Sequence, residues 1–280
     1  MITKWVLNRK IKKAKALLQE ADAILVVAGN NMNSEGRIYE FQKFEGLLKD
    51  IQGIRNLKYE DLFSPQWFDI DPKMAWAVYG YIYEIIKNRK VPEGYILLKK
   101  FLRSKKFFIY TTCIDGLFMK AGFPENKIVE SNGNIHYLQC VKPCKTEIWK
   151  AVNLDVKIDM KTFEALEPLP RCKYCGGIAR PNILLFNDIY WVSTRTEFQR
   201  MFYRYWLNKV TESKYKFVIL ELDAGTEPLS PRLQTERILS LYGGRLIRIN
   251  ENNCKVSSRE DIGLPMSGEE GLKLLLNEDS

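Results

Sequence analysis

The chain has 280 residues, 46% of them hydrophobic, and a formal net charge of +9. This composition predicts a soluble globular protein with one large core or two unequal ones, and it excludes disordered and membrane-spanning classes. The positive charge would suit nucleic acid, but the lysines and arginines are spread along the sequence instead of clustering in one stripe. Specific nucleic-acid binding and a membrane partner are therefore not expected.

The N-terminal stretch, residues 1–19, predicts an amphipathic helix with Lys10, Lys12, Lys13 and Lys15 on its polar face. It contains neither an uninterrupted apolar core nor a small-residue cleavage site, so no signal peptide is predicted. We therefore expect a cytoplasmic location, in which thiols stay reduced.

Apolar runs alternate with helical patterns along the rest of the chain. Continuous apolar strands predict a sheet that is covered on both faces, and the α/β alternation predicts a Rossmann-like doubly wound parallel sheet. The predicted strands are residues 23–29, 107–112, 217–222 and 245–250. The predicted helices between them are residues 74–90, 94–103, 195–210 and 232–242.

Four cysteines interrupt this alternation, with a C-x3-C pair followed by a C-x2-C pair. They are Cys140, Cys144, Cys172 and Cys175. Two short loops with this spacing can bring four thiolates to one tetrahedral centre, which predicts a structural Zn²⁺ site. Disulfides or free thiols are the alternative interpretation. The predicted organisation is a nucleotide-binding domain formed by residues 1–139 and 180–280, with residues 140–179 as an inserted zinc-binding module.

Ligands of doubly wound sheets bind beyond the carboxyl ends of the strands. The first predicted strand ends at Gly29, and the following GNNMNSEG lacks the G-x-G-x-x-G spacing of a pyrophosphate loop. An ordinary turn is the alternative there. Asp115 follows the second predicted strand, where its carboxylate could accept hydrogen bonds from ribose hydroxyls or cap the next helix.

The order of these segments resembles the sirtuin family of NAD-dependent protein deacylases and ADP-ribosyltransferases. The resemblance rests on AILVVAGNNM, IYEFQ in place of P-D-F-R, TTCIDGL in place of T-x-N-I-D, ESNGNIHYLQC, the cysteine pairs followed by RPNILLF, LELDAGTEP and LIRIN. It implies the sirtuin fold, zinc, NAD as a possible cofactor and a protein partner or substrate. The cofactor-binding positions that it implies are Gly29, Asn31, Gln42, Asp115, Gly225, Thr226 and Asn250.

Several residues depart from the family pattern at these motifs. Asn30 and Asn31 stand in the G-A-G loop, and Gln42 replaces the arginine of P-D-F-R. At the two catalytic positions, Cys113 replaces the asparagine of T-x-N-I-D, and Asn132 replaces the histidine that acts as general base. Because an amide cannot accept a proton near neutral pH, ordinary deacylation is predicted to be lost or strongly impaired.

Three further features have alternative interpretations. His136, the only histidine, is expected to be structural, with a surrogate base or a zinc-proximal role as the alternatives. Cys113 is either a small buried side chain or a thiol exposed in the cleft. Residues 186–199 resemble a segment of some bacterial sirtuins. In that segment Trp191 is a core residue or part of an acyl-lysine tunnel, and Arg195 is a helix-surface residue or an anion ligand. The other residues of the segment that match are Asp188, Thr196 and Gln199.

Two functions from different classes follow. In the first, the chain keeps the zinc scaffold and an NAD/ADP-ribose-type cleft but serves as a binding or regulatory module. In the second, it is an active NAD-dependent enzyme, either an ADP-ribosyltransferase or a deacylase. ADP-ribosyl transfer can proceed without a base on the ribose hydroxyl, because the transition state is stabilised electrostatically.

Overall fold

The structure, a computed structural model, describes residues 3–29, 63–225 and 231–277. Its strands are β1 (Ala23–Ala28), β2 (Lys106–Thr111), β3 (Ile128–Glu130), β4 (Gly133–Cys140), β5 (Trp149–Lys150), β6 (Ile158–Asp159), β7 (Glu164–Ala165), β8 (Ala179–Ile183), β9 (Phe217–Leu222), β10 (Arg245–Ile249) and β11 (Ile262–Leu264). Its α-helices are α1 (Lys4–Glu20), α2 (Trp67–Ile70), α3 (Pro72–Asn88), α4 (Glu93–Leu102), α5 (Leu117–Lys120), α6 (Thr194–Glu212), α7 (Pro231–Tyr242) and α8 (Gly268–Leu276). One turn of 3₁₀ helix spans Glu125–Lys127.

Six parallel strands form the large sheet, in the order β11-β10-β9-β1-β2-β3. This is the strand order of a Rossmann fold, so the predicted doubly wound architecture is confirmed. The four predicted strands are present with ends that differ by at most one residue. The short outer strands β3 and β11 were not predicted, because three residues are too few to show a pattern.

Strand β1 lies at the centre of the sheet and is buried on both faces. Its side chains alternate between two cores: Ile24 and Val26 pack with α1, α4, α5 and α8, whereas Leu25 and Val27 pack with α6 and α7. This two-sided burial explains why the strand reads as a continuous apolar run. The predicted N-terminal helix is present as α1, and it buries Ala14 and Leu18.

A third core joins the cysteine segment to α3. The antiparallel strands β5, β4 and β8 form a small sheet, and side chains between residues 135 and 185 pack against the buried face of α3. Trp76 of α3 is fully buried, and its indole N–H donates to the carbonyl oxygen of Ala179 at 2.8 Å. The segment around the cysteines is therefore fixed by apolar packing as well as by its thiols.

None of the helices in the described part of the chain combines the length and hydropathy that a membrane-spanning segment requires.

Candidate functional site

The strand order reverses between β1 and β9, where the two strand ends approach closely. The N–H of Gly29 donates to the carbonyl oxygen of Leu222 at 2.9 Å. A Cβ atom placed on Gly29 would lie 2.3 Å from the carbonyl oxygen of Asp223, which is far inside van der Waals contact. Gly29 is therefore required for the packing of the two strand ends, at the position where doubly wound sheets bind ligands.

This contact gives a prediction about stability. Gly29→Ala is expected to lower the free energy of unfolding by about 1–3 kcal/mol, the usual cost of overpacking a rigid site. Gly225→Ala is the matched control, because a Cβ there meets no atom of the described residues within 4 Å; its expected change is within about 0.5 kcal/mol. Urea unfolding of both variants measures the difference, and equal effects would contradict the packing argument.

Asn250 connects the loops that follow β9 and β10. Its Nδ2 donates to the carbonyl oxygen of Ala224 at 3.0 Å, and its Oδ1 accepts from two backbone N–H groups of the turn at residues 252 and 253. The guanidinium of Arg232 donates to the same Ala224 oxygen at 3.3 Å. The Asn250 amide thus positions the backbone that leads into Gly225, and direct contact with a ribose stays a prediction.

Asp115 caps the start of α5. It lies one residue before the N-cap Gly116, and its Oδ1 accepts from the N–H of Leu117, the first helical residue, at 3.0 Å. Asp115 is half-buried at the carboxyl end of the strands. A ribose contact by Asp115 also stays a prediction. The predicted cofactor positions Asn31, Gln42 and Thr226, together with Asn30, lie outside the described residues.

Cys113 is buried between the ends of β1 and β2. Its Sγ lies 3.1 Å from the carbonyl oxygen of Gly29, and its N–H donates to Oγ1 of Thr111. Burial, and secondly the negative charge of Asp115, raise the pKa of the Cys113 thiol. The residue is therefore a protonated, small buried side chain at neutral pH, as the first of its two interpretations held.

Asn132 lies in the turn between β3 and β4 and is half-buried. Its Nδ2 is 3.4 Å from the carbonyl oxygen of Thr112, and its own carbonyl oxygen accepts from the N–H of Leu184 at 2.9 Å. The side-chain contact is long and the backbone contact is normal. The backbone is thus fixed at this position, and the side chain presents an amide that cannot serve as a base.

His136 has a structural environment, as predicted. Its Nε2 is 3.2 Å from the carbonyl oxygen of Asp115, and its ring packs edge-on against Tyr83 with centroids 5.6 Å apart. Burial lowers the pKa of the imidazole. A neutral ring donates its Nε2–H to that carbonyl, so this nitrogen is committed to holding the Asp115 backbone.

Arg195, in the segment of residues 186–199, is held by contacts with other side chains of the chain. Its side chain is only 10% exposed, and Nη1 lies 2.5 Å from Oε2 of the buried Glu130. The guanidinium also covers the ring of Tyr137 at 4.3 Å. The expectation of a helix-surface arginine was wrong, because the side chain is almost fully buried and the anions that it binds are two carboxylates of its own chain, those of Glu130 and Glu125. Glu130 lies two residues before Asn132, so this pair holds the strand that leads into the site.

Neighbouring residues of the same segment support that strand and the small sheet. Thr196 donates its hydroxyl to the carbonyl oxygen of Glu130 at 3.0 Å, and Gln199 Oε1 accepts the Glu130 N–H at 3.0 Å. Asp188 forms a bidentate pair with Arg180, with both oxygens at 2.8 Å from the guanidinium nitrogens. These contacts are structural. Trp191 is partly exposed, which is compatible with both predictions for it, a core residue and part of an acyl-lysine tunnel.

Sequence reasoning missed Glu130 and Asp223, which lie at the carboxyl ends of β3 and β9. Asp223 is buried in a left-handed conformation with φ of 47°, and its Oδ2 accepts the N–H of Gly268 at 2.6 Å, at the start of α8. The available signal was an acid at the end of a mainly apolar run: Glu130 after residues 128–129, and Asp223 after residues 217–222, which also contain Glu221. Such a residue indicates a buried carboxylate that needs a partner.

The four predicted metal ligands meet at one point. Their Sγ atoms all lie within 4.8 Å of one another, and the pairs Cys140–Cys175 and Cys144–Cys172 are 3.7 Å apart. A tetrahedron with Zn–S bonds of about 2.3 Å has edges of roughly 3.8 Å, so the cluster suits zinc. The separations are far beyond the roughly 2 Å of a disulfide, which removes that alternative. Four thiolates occupy all four coordination positions, and a site without an open position is structural.

Comparison with known proteins identifies the family. The Sir2 family model matches residues 28–202. An NAD-dependent protein deacylase of Leptospira interrogans is 27% identical over 257 residues, 91% of this chain and 92% of that protein. An NAD-dependent protein deacetylase of Caldivirga maquilingensis is 24% identical over 268 residues, 95% of this chain and 93% of that protein.

A solved structure shows the same fold. A mutant of a Sir2 homologue, in complex with ADP ribose, has a TM-score of 0.67 at 18% identity and covers 95% of this chain and 94% of its own. The six-stranded parallel sheet, the cysteine cluster and the family match over residues 28–202 agree with one another. The chain therefore belongs to the Sir2 family, the sirtuins.

Proposed function

We propose that this sirtuin has an NAD/ADP-ribose-type cleft at the β1/β9 edge, with lysine deacylation strongly impaired, and that it acts as a binding or regulatory module on a protein partner. The observation that carries the proposal is the amide of Asn132 at the position of the family's general base. The protein deacylase relative, as named, supports a protein as the partner class.

The described residues at this edge suit a nucleotide. Among the described residues, no atom lies within 4 Å of a Cβ placed on Gly225, and the half-buried Asp115 lies at the carboxyl end of the strands, where a carboxylate could accept from ribose hydroxyls. Asn250 would act by positioning the Gly225 backbone. When NAD is bound, it supplies a ribose carbon that a nucleophile can attack as nicotinamide leaves.

The side chains of Cys113 and His136 do not replace the missing base. The Cys113 thiol is buried with a raised pKa and contacts the Gly29 carbonyl oxygen. The His136 ring is committed to the Asp115 carbonyl oxygen and lies in the hydrophobic contact with Tyr83. Neither residue is placed to take a proton from a hydroxyl that Asn132 would face.

Deacylation of an acyl-lysine peptide by the unmodified protein is expected to be at least about 10² to 10⁴ times slower than with an intact general base. Asn132→His alone is expected to recover little, because Cys113, Gln42 and Asn30/Asn31 still alter the cofactor site. Turnover assays with NAD at neutral pH measure both proteins. Rapid turnover by the unmodified protein would contradict the proposal and favour the active-enzyme alternative.

Calorimetric titration with NAD and with ADP-ribose tests the cleft separately. Binding that Asp115→Ala weakens supports the nucleotide site, and it would appear as a ligand-dependent rise in the melting temperature, because a ligand stabilises the state that binds it. Absence of both interactions would remove the cleft from the proposal. Nucleotide binding together with transfer of ADP-ribose to a protein would favour the ADP-ribosyltransferase.

A further inference from the structure

Helix α6 exposes a stripe of large apolar side chains on the face that points away from the sheet. The stripe consists of Phe198, Met201, Phe202 and Tyr205, which are between 38% and 62% exposed. Their spacing of three and four residues places them in one line along the helix. The rings of Phe198 and Phe202 contact each other edge-on, with centroids 4.9 Å apart.

This stripe does not serve the core. The opposite face of α6 already packs on the sheet through buried residues such as Tyr203, Trp206 and Val210. Single exposed apolar side chains are common, but a contiguous aromatic patch marks an interaction surface. With about half of each large side chain exposed, the patch presents roughly 400 Å² of apolar surface.

We propose that this stripe is a self-association surface, on which α6 of a second copy of this chain packs in antiparallel orientation. A two-fold interface must be complementary to itself. An axis between positions 201 and 202 satisfies this condition, because it brings Phe198 opposite Tyr205 of the second copy and Met201 opposite Phe202 of the second copy. Each aromatic or sulfur-containing side chain then meets a ring.

The charges beside the stripe fit the same arrangement. Glu197 and Arg204 lie on one flank, on opposite sides of the axis position, with side chains 48% and 68% exposed. Within the chain, Glu197 pairs with Arg204 at 3.7 Å and with Arg200 at 2.6 Å. An antiparallel pair of helices brings Glu197 of each copy beside Arg204 of the other. The two apolar patches together with their flanking charged side chains would bury roughly 1,000 Å² in total, which is below the size of stable complexes and fits a weak, reversible dimer.

Sedimentation equilibrium of the full chain, from about 1 to 100 µM, tests the proposal. The unmodified protein is expected to form dimers as the concentration rises, and Met201→Glu is expected to raise the dissociation constant at least tenfold, because it places two carboxylates at the axis. Ile96→Glu is the matched control. Ile96 is 57% exposed on α4, on the other side of the sheet, and this variant is expected to dimerise normally. A protein that stays monomeric at 100 µM would overturn the proposal.

A charge-exchange experiment tests the antiparallel register. Glu197→Arg and Arg204→Glu should each weaken self-association, because each places like charges together at both ends of the interface. An equimolar mixture of the two variants should form a heterodimer, in which both pairs are again of opposite sign. Circular dichroism confirms that the variants fold. If the mixture associates no better than either variant alone, the antiparallel arrangement is wrong.

Discussion

Purified protein is expected to contain one zinc ion per chain, and Cys172→Ser is expected to lose it together with the fold of the cysteine segment. Structural zinc contributes about 10–16 kcal/mol of apparent binding free energy in small zinc domains. Cys172 is buried, and its carbonyl oxygen and N–H hold the tight turn of the second pair through Gly176 and Gly177. Cys172→Ser keeps these backbone hydrogen bonds but removes one of the four thiolates, so the turn is no longer tied through the metal to the first cysteine pair.

Elemental analysis and thermal melting measure this effect. Cys254→Ser is the matched control, because Cys254 is a partly buried thiol outside the cluster. The control is expected to keep its zinc and its melting temperature. Because the third core joins β4 and β8 to α3, zinc loss should also expose Trp76 to solvent and shift its fluorescence. Less than about half an equivalent of zinc in the unmodified protein would contradict a structural site.

Arg195→Leu is expected to lower the free energy of unfolding by about 3–5 kcal/mol, because it leaves the carboxylate of Glu130 buried without its cation. Glu130 is 1% exposed, and its other oxygen accepts from Asn134 Nδ2 at 2.6 Å. Arg195→Lys keeps the charge but not the planar guanidinium over Tyr137, so an intermediate loss is expected. Arg204→Leu, which removes an exposed arginine from the same helix, is the control and should cost less than about 0.5 kcal/mol.

The loss should depend on pH in a defined direction. Burial raises the pKa of Glu130 in the folded protein above the ordinary carboxyl value, although Arg195 opposes this. The folded state therefore binds the proton more tightly than the unfolded state. The contribution of Glu130 to stability falls as the pH rises from the ordinary carboxyl pKa to the higher pKa of the folded protein. Without Arg195 the folded pKa rises further. The penalty of Arg195→Leu should be larger at about pH 8 than at about pH 5, and urea unfolding at both values measures it. An equal penalty at both would contradict the role of the buried charge.

The amino-acid sequence by itself determined the central strands and the metal ligands. A run such as 23–28 contains only apolar residues, and such a run is stable only between two covering layers, so it predicts a central strand of a doubly wound sheet. The cysteine spacing is equally local, because each pair sits in one short turn. The family motifs identified the positions of Cys113 and Asn132, and the amide of Asn132 alone decides that it cannot act as a base. For Cys113 the tertiary structure decided, because burial raises the pKa of its thiol.

Only the tertiary structure decided how the charged residues are paired. Arg195 and Glu130 are far apart in the sequence, and nothing local to either residue indicates the other. Glu221 and Arg248 are likewise direct neighbours only because β9 and β10 pair in one register. Burial of one face leaves a periodic pattern in the sequence, because the buried face recurs once per turn of a helix and at every second residue of a strand. A charge pair leaves no such pattern, because its geometry depends on strand order and on helices that come from distant parts of the chain.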